Sequence, residues 1–364
     1  MSENFGGRGY EDYFKALEQN LNREKTVSRE VKKPTQRKGV YKVVRLRKSI
    51  VFGFLAVVLI VVIAVSMFGG KSDIKAEEKT PAENSVTDEA VQKTEKISYK
   101  FTENTKDLLS ENDAKYGIAI NKTTGTVVAA RNPHEKAYPA STTKIMTLLV
   151  AVENIKDMND TFTMTLDITD PLYVAEASVA GFLNGEVIGM KDLLYGTILP
   201  SGADASMALA LKVSGSEEEF VKLMNKKVKD LGLKNTHFDN VTGLHSEQNY
   251  STAYDMAVIL DAALRNDVCK EVLSTYQYTT AKTPQNPDGI PLSSTLFSYM
   301  YGTEPETATI LGGKTGFVNQ SGYCIASYGK ANENNNEYIV VTLGNSARWP
   351  AFYGQIDLYK EFAK

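Results

Sequence analysis

The sequence predicts an α+β fold for the C-terminal part of the chain, with one antiparallel sheet built from both ends of that part and a helical lobe between them. Two observations predict the strands: an alternating hairpin pattern over Tyr116 to Arg131, and three apolar runs between Ile310 and Gly344. A third predicts the lobe, since helical patterns prevail from Thr163 to about Lys229. We therefore expect the two groups of strands to meet in a single sheet.

Residues 1–70 differ in composition from the rest of the chain. Residues 1–49 hold much charge and few apolar side chains, and every charged residue from Lys32 to Lys48 is basic. The stretch Ile50 to Phe68 then runs without a charge for roughly 28 Å of helix, close to the hydrocarbon thickness of a bilayer. These features predict a cytoplasmic basic tail over 1–49 and a single transmembrane helix over 50–70.

Two alternatives to this anchor have less support. The basic tail could bind nucleic acid, but the net charge of -3 and the apolar span that follows argue against a nucleic-acid partner. The span could be a cleaved signal peptide, but the tail is long and no small-x-small site follows Phe68. Residues 71–98 have the composition of a disordered linker. We expect a single-pass protein of the cell membrane whose folded domain, residues 99–364, is extracytoplasmic.

Local signals place the other elements of this domain. Pro139 restricts the residue before it and has no N–H, so a helix is expected to begin at or near Ser141. An amphipathic helix is predicted over Glu217 to Leu231. The stretch from Val272 to about Glu306 contains several prolines and predicts edge strands and loops. Apolar spacing over Trp349 to Phe362 predicts a closing helix.

A hydroxyl and an amine three residues apart suggest chemistry. On a helix Ser141 and Lys144 would share a face. A serine hydroxyl needs a base beside it to become a nucleophile, and a lysine amine can be that base if burial or a neighbouring cation lowers its pKa. A helix N-terminus adds free N–H groups that suit an oxyanion. The alternative is that Ser141 is a helix cap and Lys144 is solvated.

Two further segments bear on this choice. Ser201 lies in a Leu-Pro-Ser-Gly-Ala turn that opens a helix, where it is either the cap or a second hydroxyl of the site. Lys314 and Thr315 follow two glycines on a predicted strand, where the lysine is either solvated or functional.

Together these segments resemble the motifs of penicillin-recognising serine enzymes. Ser141-x-x-Lys144, Ser201-Gly202-Ala203 and Lys314-Thr315-Gly316 occur in the same order and context. Their flanks look like those of the serine D-Ala-D-Ala carboxypeptidases, the low-molecular-mass penicillin-binding proteins, over roughly residues 100–364. The resemblance implies a serine β-lactamase/DD-peptidase-like fold and removal of the terminal D-alanine from peptidoglycan stem peptides.

The resemblance also implies roles for single residues. Ser141 would form the acyl-enzyme, Lys144 would take its proton, and Ser201 would relay a proton toward the leaving amine. Lys314 and Thr315 would bind the terminal carboxylate, and Lys314 would lower the pKa of Lys144. The N–H of Ser141 and one from the strand at 314–317 would form the oxyanion hole.

The implied partners are a stem peptide ending in D-Ala-D-Ala, β-lactams as inhibitors that acylate the same serine, and the membrane through the N-terminal helix. No cofactor is implied. Arg348 is a possible further carboxylate contact, but a surface arginine is the preferred interpretation.

The sequence departs from the family pattern in two ways. The second motif usually ends in Asn, whose carboxamide would contact the motif lysine and the substrate carbonyl; here the residue is Ala203. Asp204 is adjacent but is expected to point elsewhere. Many relatives carry a further β-rich domain and a terminal membrane helix, whereas this sequence ends soon after its closing helix.

Several functions stay open beside the carboxypeptidase. A class A-like β-lactamase needs a glutamate placed for deacylation, whereas Glu217 to Glu219 look like a solvated helix face. A DD-endopeptidase would cleave the same kind of bond in cross-links. A catalytically weak penicillin- or peptidoglycan-binding protein is supported only by Ala203.

Metal and thiol chemistry have little support. His134, His237 and His245 show neither His-x-His nor His-Glu-x-x-His spacing, so no metal site is expected. Cys269 and Cys324 are expected to be two separate buried thiols, and neither is a convincing nucleophile.

Overall fold

The computed structural model describes residues 97–108 and 112–363. The predicted tail and transmembrane helix lie outside the described residues, as does the predicted linker apart from Ile97 and Ser98. Within the described ranges, none of the helices combines the length and the apolar composition needed to cross a bilayer.

Most strands lie toward the two ends of the domain and most helices in the middle, as the sequence predicts. The described strands are β1 Lys100–Lys106, β2 Tyr116–Asn121, β3 Thr126–Arg131, β4 Thr161–Thr163, β5 Val187–Gly189, β6 Gln277–Thr279, β7 Pro291–Ser293, β8 Ala308–Val318, β9 Gly322–Ala331 and β10 Glu337–Asn345. The described helices are α1 Lys144–Asn154, α2 Leu166–Val174, α3 Met190–Ile198, α4 Ala203–Ser214, α5 Glu217–Asp230, α6 Ala253–Leu264, α7 Asp267–Ser274, α8 Thr295–Met300 and α9 Arg348–Phe362. A 3-10 turn, Ala140–Thr143, precedes α1.

One six-stranded sheet joins the two ends of the domain, as predicted. Its strand order is β1-β3-β2-β10-β9-β8. Strand β1 runs parallel to β3, and the other neighbours are antiparallel. The predicted hairpin is β2–β3, and the three predicted C-terminal strands are β8, β9 and β10. The pairing of β2 with β10 joins the N-terminal and C-terminal strands in one sheet and confirms the α+β prediction.

Alternate residues of the sheet enter two cores. Along β10, Ile339 and Val341 are buried with the helical lobe, and α6 packs on that face. Tyr338 and Val340 are buried on the opposite face, where α9 packs. The predicted amphipathic helix is α5, which buries Phe220, Met224 and Val228 against the lobe.

One local prediction was wrong, and another was confirmed in part. The α-helix expected near Ser141 begins only at Lys144, because the Thr142 N–H bonds to the Pro139 carbonyl three residues earlier at 3.2 Å and forms a 3-10 turn. Edge strands and loops were predicted over 272–306, and the stretch does contain two short strands, β6 and β7, outside the main sheet. Its hairpin β6–β7 is a separate sheet held on α3, where the Tyr278 and Tyr195 rings stack at 3.9 Å. This stretch also contains helix α8.

The closing helix α9 is fixed to the sheet by a buried amide. Gln355 is fully buried; its Oε1 accepts from the Ser327 hydroxyl at 2.7 Å, and its Nε2 donates to the Thr342 hydroxyl at 2.9 Å. Both partners are themselves buried on β9 and β10. Because α9 begins at Arg348, this network also sets the position of that arginine.

Replacing Gln355 with Leu should lower the free energy of unfolding by about 1–3 kcal/mol, because the buried Thr342 hydroxyl loses the Gln355 amide and the Ser327 hydroxyl keeps only that of Tyr359. Urea titration followed by circular dichroism measures this. Lys360→Ala, on the exposed face of the same helix, is the control and should change the free energy by about 0–1 kcal/mol. Equal effects of the two changes would contradict a structural role for the buried amide.

Candidate active site

A cleft of about 550 Å³ lies between the helical lobe and the edge strand β8. It is lined by the 3-10 turn with Lys144, the segment Ala175–Ser178, the turn at Ser201, the loop Thr242–His245, helix α8, strand β8 with the turn after it, and the start of α9. Of the predicted site residues, Ser141, Lys144, Ser201 and Thr315 line this cleft, and Lys314 is buried behind its surface.

Ser141 and Lys144 lie side by side. In a 3-10 turn the side chains at i and i+3 eclipse each other, so the turn at 140–143 places the lysine directly over the serine. The Lys144 Nζ lies 3.1 Å from the Ser141 Oγ, within hydrogen-bond reach. Lys144 is 2 % exposed, whereas Ser141 is partly open to the cleft. This is the geometry that a serine nucleophile and its base require.

The loop that follows α5 supplies a third group that sequence reasoning missed. The Thr242 carbonyl accepts from the Lys144 Nζ at 2.5 Å and so orients the amine. Gly243 follows with a φ of +78°, and a Cβ there would lie 2.0 Å from the Ala140 carbonyl oxygen. The only sequence signal for this contact is the Thr-Gly pair in a polar loop. Glycine is the usual residue where the backbone adopts a positive φ or approaches another segment closely.

Two buried lysine amines, those of Lys144 and Lys314, are close enough to influence each other electrostatically. Burial lowers the pKa of Lys144 to about 7 from an ordinary value of 10.5, while the Asp204 carboxylate acts in the opposite direction. Burial also lowers the pKa of Lys314 well below its ordinary value, and the neighbouring Lys144 lowers it further. Lys314 was expected to lower the pKa of Lys144; desolvation is instead the main cause there. A pKa near 7 leaves much of Lys144 neutral and able to accept a proton.

Ser201 offers a second hydroxyl to the cleft. It precedes α4 with a φ of +66°, a region that L-residues rarely adopt. Its Oγ is buried and has no hydrogen-bond partner among the described residues. Gly202, not Ser201, is the cap residue of α4, so the simple capping role does not apply. A buried unpartnered hydroxyl in a cleft is free to bond to a substrate.

Strand β8 forms the opposite wall. The Thr315 hydroxyl lies 2.7 Å from that of Thr295, and the Lys314 Nζ donates to the Thr315 carbonyl at 2.7 Å. A Cβ on Gly316 would lie 2.8 Å from the Ser141 nitrogen, so the strand approaches that amide at backbone distance. Lys314, predicted to contact a carboxylate directly, is only 1 % exposed and does not line the cleft.

Ala203, which stands where the family motif has Asn, and its neighbour Asp204 have structural roles. Ala203 lines the cleft and is 3 % exposed. The Asp204 carboxylate points away, as predicted: it accepts from the N–H groups of Ala180 at 2.7 Å and Gly181 at 3.0 Å. Asp204 therefore holds the segment before α3 and does not replace the carboxamide.

Arg348 lies closer to the chemistry than predicted. It is exposed, but it lines the cleft together with the aromatic rings of Tyr299, Tyr323 and Phe352. Its guanidinium carbon is 4.8 Å from the Tyr299 ring centre, a cation–π contact that fixes the side chain at the cleft. The sequence alone favoured a surface arginine, because the tyrosines whose rings contact Arg348 are distant from it in the chain.

Thiols do not belong to this site. Cys269 and Cys324 are separate, buried and unpaired, as predicted. Burial raises the pKa of Cys324 to about 11 and that of Cys269 to about 12, so both are poor nucleophiles at neutral pH. Within the described ranges, no group of three or more His, Cys, Asp or Glu side chains is placed to hold a metal ion.

Comparisons with known proteins identify one family. The Peptidase S11 family, described as D-alanyl-D-alanine carboxypeptidase, matches residues 100–347. D-alanyl-D-alanine carboxypeptidase DacF of Bacillus subtilis is 36% identical over 240 residues, which cover 64% of this chain and 58% of the relative. The D-alanyl-D-alanine carboxypeptidase of Streptomyces sp. strain K15 is 33% identical over 216 residues, covering 57% of this chain and 74% of the relative.

Solved structures show the same fold. The Streptomyces K15 DD-transpeptidase superposes with a TM-score of 0.61 at 29% identity, covering 68% of this chain and 95% of that one. Penicillin binding protein 5 of Haemophilus influenzae gives 0.60 at 28% identity, covering 68% and 70%. The chain spans 58% of the length of DacF and 41% of that of DacC from Escherichia coli. Because the family match extends over residues 100–347, this chain belongs to the D-alanyl-D-alanine carboxypeptidase family, Peptidase S11.

Proposed function

We propose that this protein is a serine D-Ala-D-Ala carboxypeptidase that removes the terminal D-alanine of peptidoglycan stem peptides through an acyl-enzyme on Ser141. One observation carries the proposal: the buried amine of Lys144, with a pKa of about 7, lies 3.1 Å from the hydroxyl of Ser141. The names of the family and of its relatives support the choice of substrate.

Acylation begins with attack of the Ser141 Oγ on the carbonyl carbon between the two D-alanines. As the O–C bond forms, the hydroxyl proton passes to the Lys144 Nζ. The carbonyl electrons move onto its oxygen, which the Ser141 N–H and an amide of β8 between residues 314 and 317 would stabilise. The oxyanion then collapses and the C–N bond breaks. The leaving amine takes a proton that the Ser201 hydroxyl relays from Lys144.

The leaving D-alanine carries a carboxylate that must be recognised. Thr315 and Arg348 line the cleft and can donate hydrogen bonds to it, with the arginine as the charge-assisted donor. Lys314 is buried beside them and contributes positive potential when it is protonated. In this proposal Lys314 therefore acts on the substrate carboxylate through its electrostatic potential and not through the direct contact that was expected.

Deacylation returns the enzyme to its starting state. A water attacks the ester carbonyl and gives a proton to the neutral Lys144 amine, and the Ser141 Oγ leaves with a proton from the same group. The products are D-alanine and the shortened stem peptide. Ala203 leaves the cleft without the carboxamide of the family motif, so we expect modest rates.

The cellular location of the reaction is proposed from the sequence alone. Peptidoglycan stem peptides lie outside the cytoplasm, and the basic tail and apolar span before residue 71 would anchor the chain with its catalytic domain on that side. The linker up to residue 98 would hold the domain away from the bilayer.

Incubating the full chain in detergent with a labelled penicillin, and separately with a peptide ending in D-Ala-D-Ala, tests the proposal. We expect a stable adduct of one acyl group on Ser141, release of D-alanine, and neither result with Ser141→Ala. The absence of any adduct from the folded wild-type protein would refute the assignment of Ser141.

The same measurement separates the other functions. Rapid penicillin hydrolysis without a lasting adduct would indicate a β-lactamase. An adduct without D-alanine release would indicate either an endopeptidase, which a cross-linked peptide would then reveal, or a protein that only binds.

The rate of acylation by penicillin should rise with pH through about 7 and then level off, because the base must be the neutral amine of Lys144. Stopped-flow acylation between pH 5 and 9 measures this. Lys144→Arg keeps a charge at every pH and should abolish acylation, whereas exposed Lys282→Arg should leave the profile unchanged. A wild-type rate that does not vary across this range would contradict the role of Lys144.

Ala203→Asn should raise the rate of D-alanine release about tenfold, because a carboxamide placed in the cleft adds hydrogen bonds to polar or charged groups. Ala203→Val adds a side chain without polar atoms and should give no gain. Steady-state D-alanine release by the three proteins measures the effect. Equal rates for the wild type and Ala203→Asn would show that the departure from the family motif does not limit this enzyme.

A further inference from the structure

One acidic side chain lines a cleft in which the other ionisable side chains, tyrosines apart, are basic. Glu176 is the only acidic residue among the described residues that line the cleft, where Lys144 and Arg348 are the basic ones. Glu176 is exposed and takes part in none of the ion pairs of the described residues. Its carboxylate is therefore available to a ligand.

The backbone holds Glu176 in a conformation that glutamate rarely adopts. Its φ is +50°, just after the end of α2, where glycine or asparagine is usual. Five non-glycine residues of the described chain have positive φ. Two are asparagines, which tolerate it, and the other three are Ala140 beside the nucleophile, Ser201 and Glu176. Glu176 thus shares with Ser201, and with the residue before Ser141, a strain that is typical of functional positions.

The segment around Glu176 is tied to the second motif. The Ser178 carbonyl accepts from the Ala203 N–H at 2.8 Å, and Asp204 binds the N–H groups of Ala180 and Gly181. The Glu176 N–H bonds back to the Tyr173 carbonyl at 3.1 Å. These bonds fix the backbone of the Glu176 segment relative to that of Ser201.

Glu176 also lies where the cleft meets a second hollow of about 700 Å³, since it lines both. The lining of this hollow is mostly apolar and includes Val174, Val179 and Leu183. A ligand that passes from the cleft into the hollow would meet an acid beside apolar walls. That combination suits an aliphatic side chain with a cationic end.

The proposed reaction leaves one part of the substrate for such a contact. The leaving D-alanine offers a methyl group and a carboxylate, and a carboxylate would be repelled by Glu176. A cation can therefore come only from the acyl side of the scissile bond. Resting on the proposed function, we infer that Glu176 is a specificity-determining residue that favours stem peptides whose residue before D-Ala-D-Ala is a diamino acid with a free ammonium group.

Two peptides that differ by one charge test this inference on the full chain: one with lysine before D-Ala-D-Ala, and the same peptide with that lysine Nε-acetylated. At low salt the wild type should show a kcat/KM about threefold higher for the free amine, the range of an exposed ion pair. Glu176→Gln should remove this preference by lowering kcat/KM for the free amine alone. Asp170→Asn, an equal charge change on exposed α2 outside the cleft, should keep the preference.

Several outcomes would overturn the inference. Equal wild-type values for the two peptides would do so while leaving the carboxypeptidase intact. An equal loss on both peptides in Glu176→Gln would place the residue in the chemical steps instead. Loss of the preference in Asp170→Asn would mean that general surface charge is responsible. Failure of the wild type on both peptides would refute the proposed function itself.

Discussion

The site depends on burying two lysine amines beside the nucleophile. A buried ammonium group loses its hydration, and two of them side by side also repel, so at least one must give up its proton near neutral pH. Lys144 and Lys314 are 2 % and 1 % exposed, and the pKa of Lys144 falls to about 7. The fold thereby makes a base from a side chain that is charged in water at this pH.

This burial requires three stretches of backbone to come together. The 3-10 turn that carries Ser141 is approached from one side by Gly243 and from another by Gly316, and a Cβ at either glycine would collide with it. The Thr242 carbonyl then reaches the amine of Lys144, and β8 brings its amides to the nucleophile. The six-stranded sheet matters for function because it fixes β8 at its edge in this position.

Predictions from the sequence succeeded where the signal is local. The hairpin, the three C-terminal strands, the closing helix and the Ser141–Lys144 spacing rest on periodicity or on neighbours a few residues apart, and the structure shows each of them. The contact of Lys144 with Thr242 spans 98 residues, so no local pattern could reveal it. The place of Arg348 at the cleft depends on a buried glutamine that anchors α9, and this too is long-range.

Backbone strain marks residues whose conformation lowers the stability of the fold while it positions groups at or beside the cleft. Ala140, Glu176 and Ser201 each hold a positive φ at a cost of about 1–3 kcal/mol, and such strain persists only where neighbours over-determine it. Around Ser201 the Gly202 N–H binds the Gly196 carbonyl at 2.9 Å and the Ala203 N–H binds that of Ser178. These bonds lie within the protein itself and hold the groups that face a substrate in place. A cleft ordered in advance spends less binding energy on arranging its own donors, and more remains for the transition state.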